Sequence, residues 1–484
     1  MPALPFLLPL SSGFASLKNE ILLRAVVLTR VLLACAVLAG ISPSPVWAQA
    51  VAPNLNPSSN LFLDAPAYGS GGPHAYGIVL ADLNGDGKQD VIVANACTGC
   101  TSASVGVLLG NGDSTFQPAA AYASGGAGVL LVAVGDVNGD GKRDVVVENQ
   151  CVSQSNCTKG SIGVLLGNGD GTLESAFTYT LPSEGGYILS LADLNGDNKV
   201  DLVVTACAAN NCNPGTVGVM RGNGDGTFQA PVLYSSGGLF PVTVAVSDMN
   251  GDGKPDLVVN NHCGETCGGP PSTFAVLLGN GDGTFQTPKV TFTGGFWVTV
   301  GDVDGDGKPD AVITYNSPQP DVAVYKGNGD GTFQTFPPIG VATGAQNDRQ
   351  GTLVDVNGDG KLDLVVSHLD FGTSVLLGNG DGTFQAAKVY IPGGRFFAVG
   401  DVNGDSKPDV LVAEECFSPT VCSSGLVSVL RGNGDGTFQG ARYFGTNGSG
   451  GISHESREVD LAHQKRRRGP PIASWAPSRV RRHQ

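Results

Sequence analysis

Acidic side chains recur in this chain at a spacing that suits one kind of chemistry. The stretch "DLNGDGKQD", Asp82 to Asp90, returns as "DVNGDGKRD", "DLNGDNKVD", "DMNGDGKPD", "DVDGDGKPD", "DVNGDGKLD" and "DVNGDSKPD". Side-chain oxygens at positions 1, 3 and 5, a backbone carbonyl at 7 and a carboxylate at 9 suit a hard cation that takes six to eight oxygen ligands. Glycines at 4 and 6 let the chain wrap closely. The candidate ligands are Asp82, Asn84, Asp86, Lys88 and Asp90; Asp136, Asn138, Asp140, Lys142 and Asp144; Asp193, Asn195, Asp197, Lys199 and Asp201; and Asp248, Asn250, Asp252, Lys254 and Asp256. The remaining loops supply Asp302, Asp304, Asp306, Lys308 and Asp310; Asp355, Asn357, Asp359, Lys361 and Asp363; and Asp401, Asn403, Asp405, Lys407 and Asp409, each lysine through its carbonyl. Calcium, up to seven ions in a structural role, is the expected cofactor. Magnesium prefers stricter octahedral geometry, and the loops lack the His or Cys that softer metals favour. Position 12 of the first loop is Val93, where a helical calcium loop carries a bidentate acid, so an EF-hand is excluded. Metal-free Asx turns are the alternative, but three or four carboxylates on nine residues repel unless a cation neutralises them.

These loops must be held by short strands. After each comes a β-branched run such as "DVIVAN", then a variable stretch, then a strand leading into "GNGDGTF" or a close variant, which begins at Gly110, Gly167, Gly222, Gly279, Gly327, Gly378 and Gly432. Asn-Gly and Asp-Gly steps supply the positive φ of a tight hairpin. One Asp per turn offers few ligands, so a plain hairpin is the expected reading and a second cation site the alternative. A further strand ends in a glycine pair, and an apolar strand enters the next acidic loop. Four strands per unit, with loops starting at 82, 136, 193, 248, 302, 355 and 401, predict an all-β fold: a seven-bladed β-propeller of four-stranded antiparallel blades. "LFLDAPAYGSGG" at 61–72 matches "TFQPAAAYASGG" at 115–126. The amino-terminal segment therefore reads as an outer strand that completes the last blade.

Charge and cysteines bound the setting. Between residues 51 and 456 lie 17 basic and 40 acidic residues, most of the acids in the two motifs. The natural partner is a cation and not nucleic acid. Residues 1–50 read as a signal peptide: Lys18, Arg24 and Arg30 precede the apolar run 31–41, and "AQA" at 48–50 offers a cleavage site. A linker at 51–60 leads to the propeller at 61–445. The expected location is secreted, extracellular or at the cell surface, with no stable membrane insertion of the mature chain. Five local cysteine pairs (97/100, 151/157, 207/212, 263/267 and 416/422) fit disulfide staples of an oxidising compartment. The basic tail, 446–484, reads as disordered. A one-base shift in codons for "KRRRG" would restore Asn-Gly-Asp-Gly, so the tail is also a candidate frameshift of an eighth unit.

The alternation of the two motifs from Leu61 to Phe444 resembles the FG-GAP/VCBS repeat family, which includes the seven-bladed propeller of integrin alpha subunits. The resemblance implies that each acidic loop joins the first and second strands of a blade and holds calcium. Asn198 and Ser406 in place of the second glycine, and Asp304 in place of Asn, depart from the pattern. Strand parity puts the acidic loops and the GNGDG turns on one face, and the variable cysteine-bearing loops on the other. Recognition is expected on that other face, and integrins likewise meet ligand away from their calcium loops. The chain has no G-x-S-x-G, P-loop or H-E-x-x-H motif. The expectation is a non-enzymatic adhesion or recognition module for an extracellular protein or glycan. A carbohydrate-active propeller, lyase or glycosidase, is the alternative.

Overall fold

The computed structural model describes residues 67–439, apart from 73, 97–102, 154, 183–185, 187, 206–214, 264–271, 293–294, 316–320, 335–338, 344–347, 369–371, 392 and 415–424. The proposed signal peptide, the tail, and cysteine pairs 97/100, 207/212 and 416/422 lie outside the described residues, as does Cys267. Cys151 and Cys157 form a disulfide.

The described residues form seven four-stranded antiparallel sheets, as the repeat arithmetic requires. In the first blade the strands His74–Ala81, Asp90–Ala96, Ser104–Leu108 and Ala120–Ala123 pair in sequence order. The innermost strands of blades two to seven are Ala127–Gly135, Leu189–Ala192, Leu239–Ser247, Trp297–Gly301, Asp348–Val354 and Phe396–Gly400. Each touches its neighbours, and the last touches the first, so the ring is closed. Closure takes the expected form: Ala67–Gly69 pairs with Leu426–Leu430 as the fourth strand of the seventh blade, in the register Ala67 with Ser428.

The second strand of each blade is buried on both sides, which accounts for its unbroken apolar run. In the first blade Val91 and Val93 pack towards the seventh blade while Ile92 and Ala94 pack towards the second. Seven apolar clusters result, one between each pair of neighbouring blades. At the edge of four of these interfaces, an outer-strand tyrosine meets the phenylalanine of the next blade's turn motif at a steep angle. The pairs are Tyr68–Phe116, Tyr179–Phe228, Tyr234–Phe285 and Tyr390–Phe438, with centroids 5.2 to 6.1 Å apart. Such geometry favours the positive ring edge on the negative face.

Tyr68 lies in the closing strand, so its contact with Phe116 joins the last blade to the first. Replacing the buried Phe116 by Ala should cost roughly 3 kcal/mol in urea unfolding; a loss below about 1 kcal/mol would show that this closure contributes little.

Candidate functional site

Each acidic loop is the hairpin between the first and second strands of its blade. In the first loop, Asp82 Oδ1 accepts the N–H groups of Gly85 at 2.7 Å and Asp86 at 3.2 Å, and Oδ2 accepts that of Gly87 at 2.9 Å. Asn84 Oδ1 accepts from Asp86 N, and Asp86 Oδ1 from Lys88 N, both at 3.0 Å. The chain winds round position 1 because positions 4 and 6 take left-handed conformations, with φ of 71° at Gly85 and 79° at Gly87. Asn198 and Ser406 adopt the same conformation in the third and seventh loops, at φ 61° and 63°. The departures noted in the sequence therefore leave the loop shape intact.

Position 9 differs from the others. Its carboxylate is buried in every loop and accepts two backbone N–H groups. Asp90 Oδ2 takes Leu83 N at 2.9 Å and Oδ1 takes Gly110 N, the start of the turn motif in the same blade, at 2.8 Å. The equivalents Asp144, Asp201, Asp256, Asp310, Asp363 and Asp409 repeat both bonds at 2.7 to 3.1 Å.

The turn in turn reaches the preceding blade. Gly226 N donates to Val137 O, Gly331 N to Met249 O, Gly382 N to Val303 O and Ser114 N to Val402 O, at 3.0 to 3.1 Å. Each acceptor is position 2 of the neighbouring acidic loop. The turn's own Asp is used internally: Asp113 Oδ1 accepts the N–H and hydroxyl of Thr115. Those bonds hold the Asp113 carboxyl below the usual range. The turn is thus a self-contained hairpin, and the two motifs interlock along one face.

The donor set is all oxygen and suits a hard cation. Burial pushes Asp310 and Asp409 up to about 6; the backbone N–H groups pull the other way, and the carboxylates nearby in each loop add to the rise. A divalent ion would relieve that crowding. In the fifth loop the carboxylates of Asp302, Asp304 and Asp310 offer oxygens that all lie within 4.8 Å of one another, close enough to hold one metal ion. Among the described residues no other loop brings three acids together, because position 3 elsewhere is Asn. The fifth loop also has its own counterion, Lys326, whose ammonium lies 3.0 Å from Asp304 Oδ2 and donates to Asp381 O at 2.9 Å. Position 5 is turned outwards: Asp86, Asp140, Asp252, Asp306 and Asp405 pair with the lysine at position 7 at 3.1 to 3.7 Å, exposed to water.

Sequence reading missed a buried polar layer near the opposite face. Asn95, Asn149 and Asn261, each on a second strand, donate to the carbonyls of Ser70, Ser124 and Ser236, each just past the end of the preceding blade's outer strand, at 2.8 to 3.2 Å. The signal was present as an Asn five residues after position 9, together with the recurrent Y-x-S-G-G. Glu148 was missed as well. It is fully buried, accepts from Gly186 N at 3.0 Å, and its Oε2 has no partner among the described residues. Burial pushes this carboxyl up to about 8.

A closed ring of seven four-stranded blades, with an acidic hairpin after each inner strand, defines a repeat β-propeller. The model of the FG-GAP-like repeat matches residues 82–147, 193–259, 266–313, 302–366 and 355–412, four of the five matches starting at the first Asp of an acidic loop, and the chain belongs to that family. No curated protein matches the sequence significantly. Among solved structures, the chain is similar to BBS1N in complex with ARL6DN, soaked with lead: 14% identity, TM-score 0.47, covering 76% of this chain and 96% of that one. It is also similar to the V. cholerae biofilm matrix protein Bap1, at 12% identity and TM-score 0.39, covering 76% and 90%.

Two measurements check the site's energetics. In chelator, Asp363→Ala should cost roughly 3 kcal/mol or more, since Val356 N and Gly378 N lose their acceptor, while Asp359→Ala, at an exposed position 5, should cost under about 1 kcal/mol. Equal losses would refute the division between positions 9 and 5. For Glu148, a folded pKa raised above the ordinary value means that its stabilisation is full below about 4.5 and lost as pH rises to about 8. Glu148→Gln should remove that slope and gain roughly 4 kcal/mol at pH 8 relative to wild type; parallel stability–pH curves would contradict the buried neutral carboxyl.

Proposed function

We propose that this protein is an exported, calcium-stabilised propeller that recognises an extracellular protein or glycan and catalyses no reaction. The observation that carries the reading is the unequal use of the two faces. On one, the acidic hairpins and turns are consumed in holding the blades together. At the other, second strands end and third strands begin, and the sequences between them vary in length and composition from blade to blade. Variable loops on a rigid frame are a usual place for recognition. Nothing distinguishes one acidic loop as an open catalytic metal site with acid–base groups beside it; even the fifth, with its third acid, carries a lysine counterion.

Calcium would be held by positions 1, 3 and 9 together with whichever of positions 5 and 7 turns inwards. Its contribution when bound is to neutralise crowded carboxylates and so hold each hairpin on its blade. Extracellular calcium modules bind with dissociation constants of roughly 10⁻⁴–10⁻³ M, and tenfold excess over that value stabilises by about 1.4 kcal/mol per site. The apolar run at 31–41 and the paired cysteines support export. The described residues contain no helix long and apolar enough to cross a membrane, and the acidic middle of the chain argues against nucleic acid as partner.

Thermal unfolding in calcium and in chelator tests the metal. The melting temperature should rise by several degrees with calcium and saturate in the millimolar range or below; an unchanged melting temperature would overturn the calcium assignment. Capture from intact cell surfaces, with and without chelator, tests recognition.

A further inference from the structure

In the last three residues before the acidic loops the seven repeats agree layer by layer along the inner strands. One and three residues before each acidic loop, the inner strand carries mostly small side chains: Ala81, Gly135 and Ala192 at the first level, and Ala133, Ser190 and Ala245 at the second. Five residues before, the repeats diverge completely, to Gly77, Leu131, Ile188, Thr243, Trp297, Gln350 and Phe396. These seven residues line a single cavity of about 300 Å³ within the ring of inner strands. A layer set by packing alone would be expected to repeat as those three nearest the loops do; this one carries seven different side chains.

The layer is also built with care in the backbone. The inner strands of blades one, two, four and six each contain a register shift next to it: between Ala75 and Ile78, Val129 and Leu131, Pro241 and Thr243, and Asp348 and Gly351. Such bulges re-aim side chains and are frequent beside sites. In the fourth blade the residue before that shift, Phe240, sits at φ 52°, a conformation that costs a non-glycine residue energy.

The chemistry of the layer is uneven round the ring. Leu131 and Ile188 form an aliphatic sector. Across from it, Trp297 and Phe396 meet at 5.8 Å and 68°, and Gln350 stands on the blade between them. Behind Phe396, Tyr76 packs at 5.1 Å with the Arg395 guanidinium over its ring and bonded to its hydroxyl, which buttresses the aromatic corner. Gln350 Oε1 accepts from Phe397 N at 2.9 Å, so the amide is fixed in place. Trp297, Gln350 and Phe396 are half-buried, hence within reach of solvent.

Resting on the recognition reading above, we infer that this cavity takes one neutral pyranose ring at the end of a glycan. A sugar ring has apolar C–H faces and hydroxyls at its edge, which fits an aromatic corner flanking an amide and facing an aliphatic wall. The layer holds no charged side chain, so the ligand should be uncharged. A cavity of this size lies at the small end of ligand sites and admits a single ring, not a folded partner.

Trp297 is the sole tryptophan of the propeller, the others being Trp47 and Trp475. In the full chain with Trp47→Phe and Trp475→Phe, its emission should shift saturably on titration with the methyl pyranosides of glucose, galactose, mannose and N-acetylglucosamine. At least one should bind with a dissociation constant of about 1 mM or tighter. Phe396→Ala and Gln350→Ala should each weaken that binding tenfold or more. Leu131→Trp, which fills the cavity from the opposite wall without removing apolar contacts, should abolish it; it serves as the decisive variant if Phe396→Ala does not fold. No saturable shift with any of the four sugars, or a shift that survives Leu131→Trp, would overturn the inference. Recognition itself is judged separately by cell-surface capture: wild type that captures a partner yet ignores all four sugars keeps the proposed function and loses only this site.

Discussion

One buried carboxylate per blade organises this protein. The Asp at position 9 of each acidic loop accepts the N–H that opens its own loop and the N–H that opens the turn motif of the same blade. An ionised carboxylate bonded to two backbone donors inside a protein gains more than a neutral pair would, and loses more if either is removed. From this bond the order propagates. The turn, fixed at its start, presents the N–H of its fifth position, a glycine or the first blade's Ser114, to the preceding acidic loop. Loop holds turn within a blade, and turn holds loop between blades.

That linkage explains why two motifs far apart in sequence keep step with each other. A blade whose acidic loop lost its shape would release its own turn and leave the next blade's turn without an acceptor. The positive-φ positions show how much strain the linkage tolerates. Ser114 stands where the other six turns have glycine; it is fully buried at φ 66°, and its hydroxyl has no partner among the described residues. It persists because its N–H still reaches Val402 O across the first and last blades, where the ring closes.

Most of the fold was legible because its determinants are local and repeated. An unbroken β-branched run, Asn-Gly turn chemistry and a fixed spacing specify strand, hairpin and blade, and sevenfold repetition makes each reading redundant. The closing strand was legible for the same reason, since residues 61–72 echo a repeat that has no loop of its own. What escaped was contact between blades. Tyr68 and Phe116 are 48 residues apart, and Asn95 and Ser70 are 25 apart; no local pattern distinguishes a residue facing its own blade from one facing the next. The outward turn of position 5 was hidden for another reason. Sequence counts Asp306 as a ligand equal to Asp302, whereas the loop's own hydrogen bonds direct it to Lys308.

The repeats also supply a contrast that a single-copy domain lacks. Within one chain, seven copies experience nearly the same local demands, so a position that packing alone governs should converge on similar side chains. The three second-strand places after position 9 do so, with Val, Ile, Leu or Ala in all seven blades. Position 9 does so absolutely. The ring five residues before the loops does not, although the inner-strand layers one to three residues before the loops converge. Packing therefore leaves its chemistry undetermined. A difference of this kind inside one fold separates residues that hold the scaffold from those free to answer to something else, and it locates the freedom in the channel rather than in the acidic loops.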